Sequence, residues 1–107
     1  MHVLINKEAL FNNINTGTII NGPIEISRGC GGRDVEAPHI YKYNGWYYLF
    51  CAEGGTREGH MVTIQRSHNL YGPFEKCPDN PIVSQRDYGK ALLQSVGHAD
   101  LVEDNDN

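Results

Sequence analysis

The carboxylate whose surroundings best suit chemistry is Glu36, which lies just before Pro38 and a pair of predicted strands. Propellers and barrels place their ligand-contacting residues at strand ends and in loops. Gly31 and Gly32 upstream allow an unusual backbone path, and Pro38 favours extended backbone angles at Ala37. These neighbours suit an acid held in a fixed position. A single glutamate before a strand is usually a solvated loop acid, so the local sequence leaves both interpretations open.

The histidines and cysteines indicate neither a metal centre nor a nucleophile. His39 and His60 lack the spacing of direct zinc ligands. Cys30, Cys51 and Cys77 are widely spaced and odd in number, which fits neither a disulfide framework nor a zinc knuckle. We therefore predict reduced thiols, with Cys51 and Cys77 as small buried or loop residues that lack the basic setting of a reactive thiolate.

The strongest local structural signal is the dipeptide Asn44-Gly45, which is typical of a type I′ turn. It predicts a hairpin of residues 39–43 and 46–51. Short extended runs at 60–67, near 74–76 and at 82–84 follow, so residues 40–84 could form one four-stranded antiparallel sheet, the form of a propeller blade.

Further strands are predicted at both ends of the chain. Residues 2–11 and 18–27 suggest a second hairpin, and residues 97–102 suggest another strand without a partner after it. Short strands at this spacing are typical of sandwiches, barrels and propellers alike, and periodicity alone does not choose among them.

Length and composition exclude several classes of function. The 107 residues allow one core, and the scattered basic residues with a net charge of -4 argue against nucleic acid as a partner. No apolar run approaches the roughly 20 residues that cross a bilayer, so no membrane partner is expected. Asn6, Lys7 and Glu8 stand where a signal peptide would need an apolar centre, and a cytoplasmic chain is expected.

Several motifs in order resemble family 43 glycoside hydrolases, which are five-bladed β-propeller enzymes. They are EAPHIYK at 36–42, YYLF at 47–50 and AEGGT at 52–56, followed by motifs at 64–67, 71–74, 80–82 and 97–102. The resemblance covers residues 28–103 and is closest to the β-xylosidase and α-L-arabinofuranosidase branch. It implies an all-β fold in which residues 1–107 are a fragment of one propeller domain, roughly one to two blades.

The resemblance also implies an inverting hydrolysis with Glu36 as the general acid. In the family, a base and a second aspartate complete the site, and both lie upstream of the matched segment. No family motif places either of them at Asp34. The family more often has glycine at position 37, and Ala37 is a small replacement that should still permit the tight approach before Pro38.

Two further site residues are carried over from the family. Thr56 resembles a residue facing the sugar pocket, although a turn cap after two glycines explains it equally well. His98 resembles a histidine near the central channel that in some members lies beside a metal ion through water, although a lone histidine is more often structural. Glu53 is expected to bind loop amides rather than perform acid chemistry.

The resemblance implies an oligosaccharide substrate, no required cofactor, and a structural calcium ion only as an option in the complete propeller. No residue is assigned to a metal. The alternative function is a non-catalytic carbohydrate-binding or structural propeller fragment, inactive alone because the two aspartates are missing. A fragment of a ring would expose strand edges, which favours self-association.

Overall fold

The computed structural model of the protein describes residues 3–5 and 24–104. Its strands are β1 (Val3–Ile5), β2 (Ile24–Ser27), β3 (Glu36–Tyr43), β4 (Trp46–Glu53), β5 (Met61–Ser67), β6 (Glu75–Lys76) and β7 (Val83–Ser84). Residues 3–5 and 24–104 contain no helix. The prediction of an all-β structure is confirmed.

The hairpin of β3 and β4 turns at the predicted dipeptide. Asn44 and Gly45 have φ angles of 47° and 79°, the positive values that a type I′ turn needs at both central positions. Tyr43 pairs with Trp46 on either side of the turn, and the two strands run antiparallel. The local sequence is sufficient to predict this part of the fold.

The main sheet has the order β3-β4-β5-β6, and β7 also pairs with β5. The predicted four-stranded antiparallel sheet is therefore confirmed, with its outer strand divided into two short pieces. Between these pieces the side chain of Asn80 replaces a backbone neighbour. Its Oδ1 accepts the Ile64 N–H at 2.9 Å, and its Nδ2 donates to the Ile64 carbonyl at 2.9 Å.

A second, two-stranded sheet is formed by the antiparallel strands β1 and β2. These strands confirm the predicted extended runs at residues 3–5 and 24–27. The remainder of both predictions, including the turn that would join them, lies outside the described residues.

The hydrophobic core lies between β2 and one face of the main sheet. Ile26, Val35, Leu49 and Cys51 are buried there, and Ile40, Tyr71 and Phe74 pack around them. Burial raises the pKa of the Cys51 thiol to about 12, so this cysteine is inert at neutral pH. All three cysteines are free, as predicted.

We call the side of the sheet that bears Leu49 and Cys51 the core face. Since neighbouring residues of a strand alternate between sides and cross-strand partners share a side, Phe50 and Ala52 lie on the opposite side, which we call the second face. There, the rings of Tyr41 and Phe50 meet edge to face with centroids 5.4 Å apart.

The predicted strand at residues 97–102 is wrong. The structure gives these residues no strand, and Leu101 and Val102 are 51% and 91% exposed. A strand is stabilised by pairing with a neighbour, and in the described part of the chain no strand pairs with this segment. Side-chain contacts hold it to the second face instead.

Candidate functional site

Glu36 is the first residue of β3 and lies beside a β-bulge. It pairs with Ala52 on β4, and the next pair is His39 with Phe50, so the bulge accommodates one extra residue on β3. The Glu36 side chain is half-buried. Since partners across a ladder share a face, Glu36 lies on the second face, at the end of the hairpin opposite its turn.

Ala37 corrects the expectation of extended backbone angles before Pro38. Its φ is 46°, in the left-handed region that non-glycine residues rarely adopt. The bulge imposes this angle and overrides the local preference of a residue that precedes proline. The replacement of the family's glycine by alanine is therefore accommodated with backbone strain.

Glu53, the last residue of β4, is 1% exposed and binds loop amides as predicted. Its Oε1 accepts the N–H groups of Cys30 at 3.0 Å and Gly32 at 2.9 Å. Its Oε2 lies 3.0 Å from the same Cys30 nitrogen and accepts the Thr63 hydroxyl. Because both of its oxygens accept hydrogen bonds from the protein, the Glu53 carboxylate has a structural role.

The amides that Glu53 binds belong to a loop that passes very close to it. A Cβ added at Gly29 would lie 2.7 Å from Glu53 Oε1, and one added at Gly32 would lie 2.8 Å from Glu53 Cβ. Both distances are shorter than real contacts of a Cβ atom. Residues 28–35, which lead directly into Glu36, therefore need glycine at both positions to reach the carboxylate.

Thr56 lies in the loop between β4 and β5 and is exposed. It borders a cleft of about 1160 Å³ that is also lined by Arg33, Arg57 and Met61. Met61 lies on the core face, because it pairs with Glu53. Glu36 is not among the residues that line this cleft. The structure thus brings Thr56 and Glu36 to the same end of the sheet but to different faces.

His98 lies in the C-terminal segment that crosses the second face. Gly97 packs so closely on His60 that an added Cβ would overlap the imidazole ring. Farther along, Asp100 accepts the hydroxyl hydrogen of Tyr41, and His39 Nδ1 lies 3.6 Å from an Asp100 oxygen. His98 itself is exposed and has a φ of 55°. Because Asp100 contacts Tyr41 on the second face, the segment that carries His98 lies on the same face as Glu36.

The contact of Tyr41 with Asp100 shifts both groups. The hydrogen bond between them, with the Leu101 N–H as a second donor, holds the pKa of Asp100 below its ordinary value. The same bond raises the pKa of Tyr41. Both shifts have one cause, because the hydrogen bond favours the ionised carboxylate of Asp100 and the protonated phenol of Tyr41.

The described residues do not form a metal site of their own. Within residues 3–5 and 24–104, no group of three or more histidine, cysteine, aspartate or glutamate side chains could hold an ion. Calcium prefers six to eight oxygen ligands. The residues present therefore do not fit a calcium site by themselves, and no step of the chemistry is assigned to a metal.

The role of Thr63 and of Asn80 was missed by reasoning from sequence. Thr63 follows the partner of Glu53, Met61, by two positions, so strand alternation places both on the same face as Glu53. That signal was available. Asn80 lies in the motif at 80–82, but its contact with Ile64 spans 16 positions, and no local pattern predicts that contact.

The similarity of this chain to a known protein family extends over nearly its whole length. The model of glycosyl hydrolases family 43 matches residues 10–107. The chain belongs to glycosyl hydrolases family 43. Its all-β sheet is thus part of a β-propeller, as the sequence motifs predicted.

Curated members of family 43 are similar at the level of sequence. A xylosidase/arabinosidase of Humicola insolens is 50% identical over 87 residues, which are 81% of this chain and 16% of that protein. A non-reducing-end α-L-arabinofuranosidase of Bacteroides ovatus is 42% identical over 88 residues, 82% of this chain and 17% of that protein. The chain therefore spans about one sixth of the length of these relatives.

Solved family 43 structures share the fold of this chain. The family 43 protein BlXynB of Bacillus licheniformis superposes with a TM-score of 0.82 at 45% identity, covering 88% of this chain and 18% of that one. The xyloglucan-locus protein GH43B of Bacteroides ovatus also gives a TM-score of 0.82, at 40% identity, and the match covers 88% of this chain and 19% of that one.

Among the described residues, no helix has the length and apolar content to cross a membrane.

Proposed function

We propose that this chain supplies the general-acid segment of an inverting family 43 glycosidase that removes terminal xylosyl or arabinosyl residues from oligosaccharides. The observation that carries the proposal is Glu36, a half-buried carboxyl at a bulged strand start inside the family-matched segment. The names of the relatives from Humicola and Bacteroides support this choice of sugars.

The proposed reaction uses two carboxyl groups on opposite sides of the scissile bond. Glu36 gives its proton to the glycosidic oxygen as the bond from that oxygen to the anomeric carbon breaks. A second carboxylate takes a proton from water, which attacks the anomeric carbon from the other side. The base belongs to a part of the propeller outside the matched motifs, and Asp34 is not assigned this role.

Thr56 and His98 are proposed to bind substrate. The hydroxyl of Thr56 is exposed to the cleft and can donate or accept a hydrogen bond. His98 lies on the face that carries Glu36, on a segment held by Gly97 and Asp100. Residues 1–107 are proposed to be part of a single propeller domain, and a cytoplasmic location remains a prediction.

The test uses a complete propeller in which residues 24–104 replace the matching segment of the Humicola relative. In this graft, Glu36→Gln should reduce kcat/KM for xylobiose by about 10²–10⁴-fold, because the alkoxide leaving group needs a proton. Nitrophenyl xyloside should lose far less, since its leaving group needs little protonation. Glu103→Gln, at an exposed position, is the control. Equal losses on both substrates would contradict an acid role for Glu36.

A second candidate function is a non-catalytic carbohydrate-binding or structural fragment. The observation that favours it is that the chain covers only 16% and 17% of the relatives named above. The two functions differ in one measurement. A graft that closes the ring and binds xylobiose but shows no Glu36-dependent turnover would support the non-catalytic alternative.

A further inference from the structure

The buried carboxylate of Glu53 joins two parts of the chain that are distant in sequence. Its acceptors are filled by the Cys30 and Gly32 amides from the loop and by the Thr63 hydroxyl from β5. Three donors on one carboxylate match the acceptor-only chemistry of its ionised form. A buried charge is costly unless it is paired or hydrogen-bonded in this way.

The loop that Glu53 holds is the one that delivers Glu36. A backbone hydrogen bond of 2.7 Å from the Gly54 N–H to the Arg33 carbonyl adds a second attachment beside the carboxylate. Val35, directly before Glu36, is 3% exposed in the core. The loop is thus fixed at Cys30, Gly32, Arg33 and Val35 before the chain reaches Glu36.

Glu53 also sits next to the strand partner of Glu36. Glu36 pairs with Ala52, the residue before Glu53 on β4. The same end of β4 therefore meets Glu36 on the second face and holds its loop on the core face. A shift of the loop would move the backbone of Glu36 relative to its partner strand.

We propose that Glu53 is a positioning residue for Glu36: its buried carboxylate binds the loop amides and thereby fixes where the Glu36 carboxyl is presented to the leaving-group oxygen. This inference rests on the proposed function of Glu36. It assigns Glu53 no contact with substrate and no transfer of a proton.

The substitutions at Glu53 separate its hydrogen bonding from its charge. In Glu53→Gln the amide oxygen can still accept the N–H groups of Cys30 and Gly32. The amide nitrogen can donate to Thr63, whose hydroxyl rotates to accept. In Glu53→Ala these partly buried N–H groups lose their acceptor, which is costly for a polar group held away from water. Gln should therefore rescue what Ala loses.

The first measurement is hydrogen exchange in the graft described above. Glu53→Ala should speed exchange of the Cys30 and Gly32 amides by about tenfold or more, because their acceptor is lost. Glu53→Gln should leave exchange within about threefold of the parent. Glu58→Ala, an exposed glutamate of the neighbouring loop, is the matched control and should change neither amide. Unchanged exchange in Glu53→Ala would overturn the proposal.

The second measurement is the dependence of kcat/KM on the leaving group, which general instability would not alter selectively. Glu53→Ala should lose about tenfold more activity on xylobiose than on nitrophenyl xyloside, and Glu53→Gln should restore the parent ratio. Equal losses on the two substrates, or no rescue by Gln, would overturn positioning. If Glu36→Gln itself shows no selectivity, the proposed function fails, while the exchange data still report whether Glu53 holds the loop.

Thr63→Val provides a milder variant in case Glu53→Ala does not fold. It removes one donor to Glu53 and keeps a side chain of similar shape. A shift of the substrate ratio in the same direction, by about threefold, is expected from the loss of one hydrogen bond. An unchanged ratio in a folded Thr63→Val graft would overturn the proposal.

Discussion

Glu36 and Glu53 are carboxylates at the same end of one hairpin, and their surroundings give them different roles. Glu53 is 1% exposed, and both of its oxygens accept hydrogen bonds from the protein. It has no free position for a glycosidic oxygen. Glu36 is half-buried on the second face and can meet a ligand from outside the sheet. Burial and partners distinguish the two roles where residue type does not.

The backbone of Ala37 is strained, because alanine rarely adopts a positive φ angle. Its φ of 46° is a left-handed angle, which costs an L-residue about 1–2 kcal/mol. Ala37→Gly removes this strain but adds about 0.4–1 kcal/mol of unfolded-state entropy. We expect a net gain of about 0.5–1 kcal/mol in the free energy of unfolding, measured by urea denaturation of the 107-residue chain.

The control for this prediction is Ala91→Gly, because Ala91 is not among the residues with positive φ. It should lower the free energy of unfolding by about 0.4–1 kcal/mol through the same entropy term. Equal destabilisation by both substitutions would show that the angle at Ala37 carries no strain.

At the scale of the element, one side chain fills a gap in the pairing along the outer edge of β5. Asn80 supplies the acceptor for the Ile64 N–H between the two short outer strands. Asn80→Ala should leave this amide without a partner and lower the free energy of unfolding by about 1–3 kcal/mol. Hydrogen exchange should accelerate at Ile64 more than at Thr63, whose ladder partner is Cys51 on β4.

Asn80→Asp tests which half of the amide matters. It keeps an oxygen to accept the Ile64 N–H but loses the donor to the Ile64 carbonyl, which also accepts the Cys77 N–H at 3.1 Å. Exchange at Ile64 should therefore stay slower in Asn80→Asp than in Asn80→Ala. The opposite order would contradict the assignment of the Asn80 oxygen to the Ile64 amide.

The docking of the C-terminal segment is expected to depend on pH. The hydrogen bond from Tyr41 lowers the pKa of Asp100 from 3.8, so the folded chain binds this proton less readily than the unfolded chain. The ionised Asp100 therefore stabilises the docked segment fully above pH 3.8, and this stabilisation is lost as the pH falls through the lower pKa that Asp100 has in the folded chain. The amide resonance of Leu101, which donates to Asp100, should report this transition.

Tyr41→Phe is the matched variant for this transition. It removes the hydroxyl that donates to Asp100 and keeps the ring that packs on Phe50. The Asp100 titration followed at Leu101 should then move upward toward 3.8. A midpoint that is unchanged by the substitution would show that Tyr41 is not the cause of the shift.

How far the sequence predicts these elements depends on whether their stabilising contacts are local. The hairpin follows from Asn44-Gly45, because a type I′ turn needs only its two central residues. The failed strand at 97–102 shows the converse, since extended residues form a strand only when a partner is present. The left-handed Ala37 was also mispredicted, because the bulge that imposes its angle arises from pairing with β4.

The same distinction applies to the candidate site. Motifs placed Glu36 at a strand start, and the resemblance to the family gave it a role. The expectation that Glu53 binds loop amides was confirmed, whereas the identity of its donors, Cys30, Gly32 and Thr63, depends on contacts across 23, 21 and 10 positions. Whether Thr56 and His98 bind sugar stays a prediction.

At the scale of the whole molecule, several large apolar side chains are exposed to solvent. Leu92, Leu93 and Val102 are 99%, 67% and 91% exposed. Exposed apolar side chains and open strand edges favour association. We propose that these surfaces self-associate when the chain is alone and face neighbouring blades in a closed ring.

The isolated chain should therefore show no measurable turnover of nitrophenyl xyloside or arabinoside. An inverting reaction needs an acid and a base about 6.5–9.5 Å apart, and this chain is proposed to supply only Glu36. Steady-state assays of the purified chain, with and without the remaining blades supplied as a second chain, test this. Turnover by the chain alone would place the base among its own carboxylates, such as Asp34, Glu58 or Asp100.

The contact of Glu53 with its loop also limits how family 43 genes can be recombined. Gly29 and Gly32 leave room for a carboxylate that is encoded after the whole of β3, at the last position of β4. A crossover between positions 35 and 53 would join a loop from one parent to a carboxylate position from another. Parents that differ at any of these three positions would yield a clash or unfilled amides, whereas crossovers before residue 28 would inherit the matched set intact.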